Sequence, residues 1–411
     1  MEKIFCDVAI IGGGPAGMMA SISAAENKKK VVLIEKNDIL GKKLLLTGGG
    51  RCNMTNAMKN KKQFVSQYGK NGEFFHSAFS VFDNKKTLDF FQKIGIRTKE
   101  ENGKIFPKTD NAKDVLNALL AKMRLSGVRI IENSPAMKII FENGRILELI
   151  TSKKQSIIAK NYILCTGGKS YPKTGSTGDG YEFARMMGHC IIEPKPALVP
   201  IKIKQNWPAK LQGLSLNNVR LSIKGKEKQI SRQGDIIFTH FGISGPIAMD
   251  LSRDIQDYGK KIDLVFDFFP GFDISALDKR IEKILKTGQG KEIKNVLKIL
   301  FPERLSDFFL AESGINEKKQ CSQISKKERM LLCKQTKNTL ATIDSFLDFE
   351  SAIATKGGID LFEIDSKTMK SKIIDNLFFA GEIIDLLGPC GGFNLQLCWT
   401  TGYLAGKNAS L

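Results

Sequence analysis

Apolar residues run almost unbroken from Phe5 to Ile11, the pattern of a strand buried on both faces of a parallel sheet. A glycine cluster follows, then a small-residue helix over Met18 to Glu26 and a second apolar run over Val31 to Ile34. Strand, turn, helix and strand in that order predict a βαβ unit at the start of the chain. Short apolar runs that break into glycine recur at Tyr162 to Gly168 and Asn376 to Glu382, and Met137 to Phe141 with Arg145 to Thr151 predict a hairpin. An apolar helix from about Leu395 to Gly406 closes the chain. In between, the period changes. From about Cys190, the alternating segments Leu198 to Lys204, Val219 to Ile223 and Ile262 to Phe268 predict a small antiparallel sheet. Residues Ile274 to Lys286, Lys291 to Leu300 and Lys326 to Lys337 carry apolar positions at helical spacing. The expected fold class is α/β, with a doubly wound, Rossmann-like domain built from residues 1–191 and 354–411. An inserted domain at 192–353, β-rich over 192–270 and helical over 271–345, is the natural place for a lid and for substrate choice.

Composition narrows the class. With 411 residues, 42% hydrophobic and 26% charged, the chain has material for two or three domains, which excludes collagen-like, disordered and small disulfide-stapled proteins. No apolar stretch approaches the roughly 18 residues of a membrane span. Lys3 and the short run after it read as a buried strand rather than an export signal, so a cytoplasmic protein is expected. Eight scattered cysteines, with no C-x-x-C and no histidine at ligand spacing, predict reduced thiols and no metal. The net charge of +20 is uneven, with +6 in residues 51–100 and +9 in residues 151–250. A concentrated basic surface attracts polyanions, which keeps RNA among the partners beside the plainer reading of a lysine-rich solvated face.

The glycine cluster carries the chemistry. Gly12, Gly14 and Gly17 stand in G-x-G-x-x-G register between strand and helix, with Pro15 and Ala16 opening the helix. Gly12 suits a tight turn, Gly14 a close approach of backbone to pyrophosphate, and Gly17 close packing of helix on strand. The helix start offers free N–H groups and a positive dipole end. Glu35, at the end of the second strand, falls where a ribose diol is held, and its charge requires a free 2′-hydroxyl, as in FAD or NAD. The later strands favour FAD. Thr166, Gly167 and Gly168 end one of them; Gly381 and Glu382 end another, followed by Asp385 and by Gly392, Phe393, Asn394 and Leu395 at the start of the closing helix. An acid there suits a ribitol hydroxyl, and a helix start suits the pyrimidine edge of a flavin, which becomes anionic on reduction. Lys36, Lys43, Ala136 and Met137 are further candidates for contact with the cofactor.

Several long blocks together resemble the BaiN-like or aminoacetone-oxidase-like flavoprotein family of the glutathione-reductase-type superfamily: GGGPAG, LGKKLLLTGGGRCNMTN (Leu40 to Asn56), CTGGKSYPKTGSTGDG (Cys165 to Gly180), FTHFGISGP (Phe238 to Pro246), TKGGI (Thr355 to Ile359) and FFAGEIIDLLGPCGGFNLQ (Phe378 to Gln396). The resemblance implies a noncovalent FAD seated between the two chain ends, an insertion made of a β-barrel-like part and a helical part, and redox exchange with NAD(P)H or oxygen. It also implies three substrate classes: a small molecule with a conjugated C=C bond reduced through flavin N5, a uridine of 23S ribosomal RNA reduced to dihydrouridine, and an amine of the aminoacetone type oxidised by oxygen. Since no second G-x-G-x-x-G follows a strand, NAD(P)H is expected to dock transiently rather than in a domain of its own.

Within these blocks, Thr47, Gly48, Gly49 and Gly50 allow backbone to pass close to a flat ligand, Arg51 brings a fixed charge for pyrophosphate or another anion, and Asn53 follows. Cys52 is a candidate redox or acid group, with packing as the alternative. Tyr171, in a Pro- and Gly-rich loop, and His240, in FTHFGISGP, are candidates to face substrate or donate a proton. His76 and His189 lie among no other chemical signals and are expected on the surface or in the core.

Overall fold

The computed structural model describes residues 2–224, 230–256, 258 and 262–411. The chain divides into two compact units, one running to Ala197 and resuming over Phe349–Leu411, the other spanning Leu198–Asp348.

In the first unit the opening strand Glu2–Ile11 lies parallel between Val31–Ile34 and Gln155–Leu164. The sheet continues through Arg129–Ile131 on one side and the antiparallel Arg145–Thr151 and Ala136–Glu142 on the other, and Leu377–Phe379 also pairs with Gln155–Leu164 in parallel. The register aligns Ile11 with Ile34 and with Leu164, and Leu164 with Phe379. Four strands therefore end at one level, which in open α/β sheets is where a ligand crevice forms. The helix Pro15–Glu26 is buried on nearly all its length, and the closing helix Phe393–Ala409 packs along it. Gly402 and Gly406 allow this, since a Cβ on either would stand 2.4 or 2.2 Å from the backbone oxygens of Ala16 or Ala20. The α/β, Rossmann-like class expected from the sequence is the observed one.

The hydrophobic pattern did not reveal two further parts of this unit. The strands Thr55–Asn56, Thr98–Glu101 and Lys104–Pro107 form a small antiparallel sheet beside the helices Lys61–Ser66, Gly72–Val81 and Asn84–Lys93. Gln396 of the closing helix binds Thr55, Thr87 and Thr400 by side-chain hydrogen bonds of 2.6 to 3.0 Å, which anchors that helix from within. Ile191–Ala197 pairs antiparallel with Ala354–Ile359, so residues 192–197 and 349–353 go with the first unit rather than with the insertion.

The second unit is a closed barrel of six strands, in the order Ile201–Ile203, Gly242–Ser244, Ser231–Thr239, Ser215–Ile223, Asp263–Asp267 and Thr339–Phe346. Its inward positions, among them Ile201, Leu221, Phe238, Leu264 and Ile343, fill the interior. The helices Ile274–Thr287, Ile293–Leu297, Glu303–Glu312 and Lys326–Lys337 share that core.

His189 belongs to the core of the first unit. Its Nδ1 lies 3.0 Å from a Glu363 carboxylate oxygen and its Nε2 3.0 Å from the Ser371 hydroxyl. Burial lowers its pKa, outweighing the opposing pull of Glu363. A histidine with a depressed folded-state pKa contributes stability that is complete above the unfolded value near 6.5 and is lost as pH falls below it. The urea midpoint of the wild type should therefore drop between pH 7.5 and 5.5, and His189→Gln should flatten that drop; equal pH dependence in both would contradict the assignment.

Candidate functional site

The level strand ends open onto a groove of about 900 Å3, open solvent at its mouth included. Gly12, Gly14, Pro15 and Ala16 line it from the opening turn, Glu35, Lys36 and Asn37 from the end of the second strand, and Lys43 from the segment beyond. Ser134, Ala136, Thr166 and Gly167 add to its wall, the loop carrying Thr174, Gly175, Ser176 and Asp179 bounds it, and Gly381, Glu382 and Cys398 come from the far end of the chain. Residues more than 350 positions apart in sequence thus meet because Glu2–Ile11 and Leu377–Phe379 both pair with Gln155–Leu164 and end at its level.

Local geometry makes the groove receptive to a nucleotide. Gly14 caps the opening helix in an extended conformation without a side-chain cap, and Pro15 occupies the first turn, where a missing N–H costs nothing. The first-turn N–H groups of Ala16 and Gly17 are left for an anion, at the positive end of a 12-residue helix. An added Cβ on Gly14 would meet nothing within 4 Å, so the backbone there is bare to the groove. Glu35, 6% exposed, accepts from Gly13 N–H at 2.7 Å through Oε2, and from Asn37 N–H at 2.8 Å and the Asn37 amide at 2.7 Å through Oε1. Two buried hydroxyls of the wall, Ser134 Oγ and Thr166 Oγ1, have no hydrogen-bond partner within the protein. Bare backbone, an uncapped helix start and a fixed carboxylate around one groove fit a dinucleotide such as FAD.

The sequence reading missed the ion pair in this groove. Lys43 Nζ bonds Glu382 Oε2 at 2.6 Å and also the Ser170 hydroxyl. The other oxygen of Glu382 accepts from Ser170 Oγ at 2.9 Å and from Thr355 N–H at 2.7 Å. Lys43 and Glu382 each read as cofactor candidates in the sequence, but pairing across 339 positions has no signature in one sequence. Asn37 and Ser134 gave no signal either, since their roles depend on what Glu35 and the groove place beside them.

Other candidate residues sit elsewhere. Gly17 turns its Cβ side to the Gly12 carbonyl and offers the groove only its N–H, Gly168 faces the Thr355 side chain, and Met137 is 61% exposed. The turn Thr47 to Asn53, Asp385, and Gly392, Phe393, Asn394 and Leu395 lie outside the groove lining. In that turn Gly48, Gly49 and Gly50 are left-handed, and Gly49 has open space around it. Arg51, expected to offer its charge to an anion, is instead held by Asp110 at 2.6 Å and Glu101 at 2.6 Å and stacks 4.1 Å from the Phe106 ring centroid. Two neighbouring carboxylates satisfy a guanidinium before any ligand arrives. Asp385 accepts from Asn71 at 3.1 Å and Gly357 N–H at 3.1 Å, and burial raises its pKa. Asn394 accepts from Gly388 N–H at 2.9 Å, so it shapes the entrance to the closing helix.

The three candidate catalytic residues differ sharply. Cys52 is fully buried, and burial pushes its thiol up to about 12, which removes the thiolate that chemistry would need. Tyr171 is left-handed at φ 51°, a strained state for a bulky residue, held by its N–H to Phe349 O and by Thr174 on its own carbonyl. His240 is exposed in the second unit, its ring edge-on to Phe241. All eight cysteines are free thiols; burial pushes Cys398, on the groove wall, up to about 12. Among the described residues no group of His, Cys, Asp or Glu is placed to hold a metal, and no helix is long and apolar enough to cross a membrane.

Comparison with known proteins agrees with this layout. The family described as HI0933-like protein Rossmann domain matches residues 6–408. A 3-dehydro-bile acid delta(4,6)-reductase of Clostridium scindens is 33% identical over 410 residues, covering 98% of each chain. A ribosomal RNA dihydrouridine synthase of Haemophilus influenzae is 28% identical over 407 residues, again covering 98% of each. Among solved structures, the 3-ketosteroid-delta4-(5alpha)-dehydrogenase of Rhodococcus jostii superposes with a TM-score of 0.57 at 14% identity, covering 100% of this chain and 98% of the other, which is a likeness of fold.

Proposed function

The chain belongs to the HI0933-like Rossmann family and is an FAD-dependent oxidoreductase, and on that premise we propose that it reduces a conjugated C=C bond of a small unsaturated substrate with electrons from NADH or NADPH. The observation that carries this reading is end-to-end identity of 33% with a bile acid delta(4,6)-reductase, in a chain whose own groove fits a dinucleotide. FAD, when bound, supplies the two-electron chemistry. The protein supplies the seat. Glu35 takes the adenosine ribose, and the first-turn N–H groups of Ala16 and Gly17 take the pyrophosphate. The Lys43–Glu382 pair fixes the wall contributed by the far chain end. Tyr171, three residues from Thr174 of the groove wall, is the residue to hold a proton for the substrate; Cys52, sealed and neutral, is left out of that role.

A second reading, a uridine of ribosomal RNA as the unsaturated substrate, draws on exposed Lys59, Lys62, Lys70, Lys85, Lys93 and Arg97 in one basic stretch. One anaerobic titration tests both. NADH or NADPH should bleach the yellow holoprotein, and a conjugated steroid dienone should restore the colour. Restoration by ribosomal RNA and not by the dienone would favour the second reading. A flavin that neither nicotinamide bleaches would overturn both, and rapid recolouring by oxygen alone, with an amine as reductant, would point to an oxidase.

A further inference from the structure

Glu35 is held with unusual completeness for a ligand-binding acid. An ionised carboxylate has about four lone-pair sites. Oε1 already accepts two hydrogen bonds, from the Asn37 backbone at 2.8 Å and the Asn37 side chain at 2.7 Å, and Oε2 accepts one, from Gly13 at 2.7 Å. One site is left, on Oε2. Asn37 thus decides which oxygen of Glu35 is free and in which direction it points.

Asn37 is itself fixed from two sides. Its amide nitrogen also donates to Thr174 O at 3.0 Å, and its backbone carbonyl accepts from Asn133 N–H at 2.8 Å. The approach to Thr174 requires glycine at the next position: a Cβ on Gly175, where φ is +100°, would stand 2.5 Å from the Asn37 amide nitrogen. The adjacent Lys36 reaches the same loop, bonding Thr177 and Asp179 at 2.6 Å each. Thr174, Gly175 and Asp179 line the groove along with Glu35.

We infer that Asn37 is a positioning residue for adenosine-ribose recognition: by saturating Oε1 and tying Glu35 to the Thr174 loop, it presents a single oriented lone pair to one ribose hydroxyl. The inference rests on the reading that Glu35 takes the ribose of FAD. Its consequence is selective, because FMN has no adenosine and never meets Glu35, whereas FAD and ADP both do.

The experiment measures equilibrium binding of FAD, ADP and FMN to the full-length chain stripped of flavin, for the wild type, Asn37→Ala, Asn37→Asp and Glu35→Gln. Asn37→Ala should weaken FAD and ADP by the same factor, about tenfold, the scale of one lost hydrogen bond to a charged group, and leave FMN within about twofold. Asn37→Asp keeps the size but sets a second carboxylate against Glu35, and should weaken both further than Asn37→Ala does. Loss of FMN affinity in step with FAD would reveal a general structural role and overturn the inference, as would unchanged FAD and ADP affinity in Asn37→Ala while Glu35→Gln is impaired. If Glu35→Gln also binds FAD and ADP like the wild type, the ribose reading of Glu35 itself falls, and this inference with it.

Discussion

Gly17→Ala is expected to abolish flavin retention and to destabilise the fold by at least about 4 kcal/mol, in the range reserved for severe steric conflicts. A Cβ on Gly17 would lie 1.9 Å from the Gly12 carbonyl oxygen and 3.1 Å from its carbon. Neither atom is the end of a flexible side chain, so relief must come from moving the opening helix off its strand or from bending the turn. Both responses damage the seat. The helix carries the free N–H groups of Ala16 and Gly17, and the closing helix packs against it through glycines that leave no slack. Gly14→Ala is the internal contrast, since its Cβ meets no atom within 4 Å. That variant should fold and melt like the wild-type apoprotein yet hold FAD poorly, because its methyl group occupies the groove. Thermal melts of apo and holo forms, with flavin-to-protein ratios after desalting, check the pair; a yellow Gly17→Ala with an unchanged melt would show that the helix yields at little cost.

These two glycines mark what was legible in the chain. Gly12, Gly14 and Gly17, the apolar runs beside them and Glu35 at a strand end form a local pattern, and the structure places the groove where that pattern points. The strands Val31–Ile34 and Arg145–Thr151 and the helix Lys326–Lys337 likewise have the boundaries their periodicity predicts. Parts set by distant partners were not legible. Ser231–Thr239 and Thr339–Phe346 hold the barrel closed, but each carries polar residues and too short an alternation to stand out. The small sheet of Thr55–Asn56 and its neighbours has strands of only two to four residues. Arg51 shows the reverse case. A lone arginine in a glycine-rich turn reads as an anion site until folding brings Glu101 and Asp110 to it. Charge in a sequence is visible, whereas its neutralisation by residues 50 and 59 positions away is not.

Glu382 joins the chain ends by the same kind of distant pairing, and its loss should be the most damaging single deletion of a polar group in the groove. Its carboxylate is the common acceptor for Lys43 Nζ at 2.6 Å, Ser170 Oγ at 2.9 Å and Thr355 N–H at 2.7 Å. Lys43 and Glu382 side chains are 20% and 18% exposed, so water replaces little of what is removed. Glu382→Ala leaves an ammonium and an amide without their acceptor, and breaking one side of such a pair costs about 3 kcal/mol, the lower end of the buried range because a fifth of each side chain is wetted. Glu382→Gln keeps an oxygen for Ser170 and Thr355 but sets an amide NH2 where Lys43 needs an acceptor, so it should cost less than Glu382→Ala while still losing the ion pair. Lys43→Met strands the carboxylate instead and should resemble Glu382→Ala. The double change Lys43→Met with Glu382→Gln removes both charges together. Because neither is then left unpaired, its cost should fall below the sum of the two single changes by at least about 1 kcal/mol. Urea unfolding of the four variants measures this directly. Strict additivity would mean that the two side chains lie together without depending on each other, and that the ends of the chain are held by the sheet and the paired helices alone.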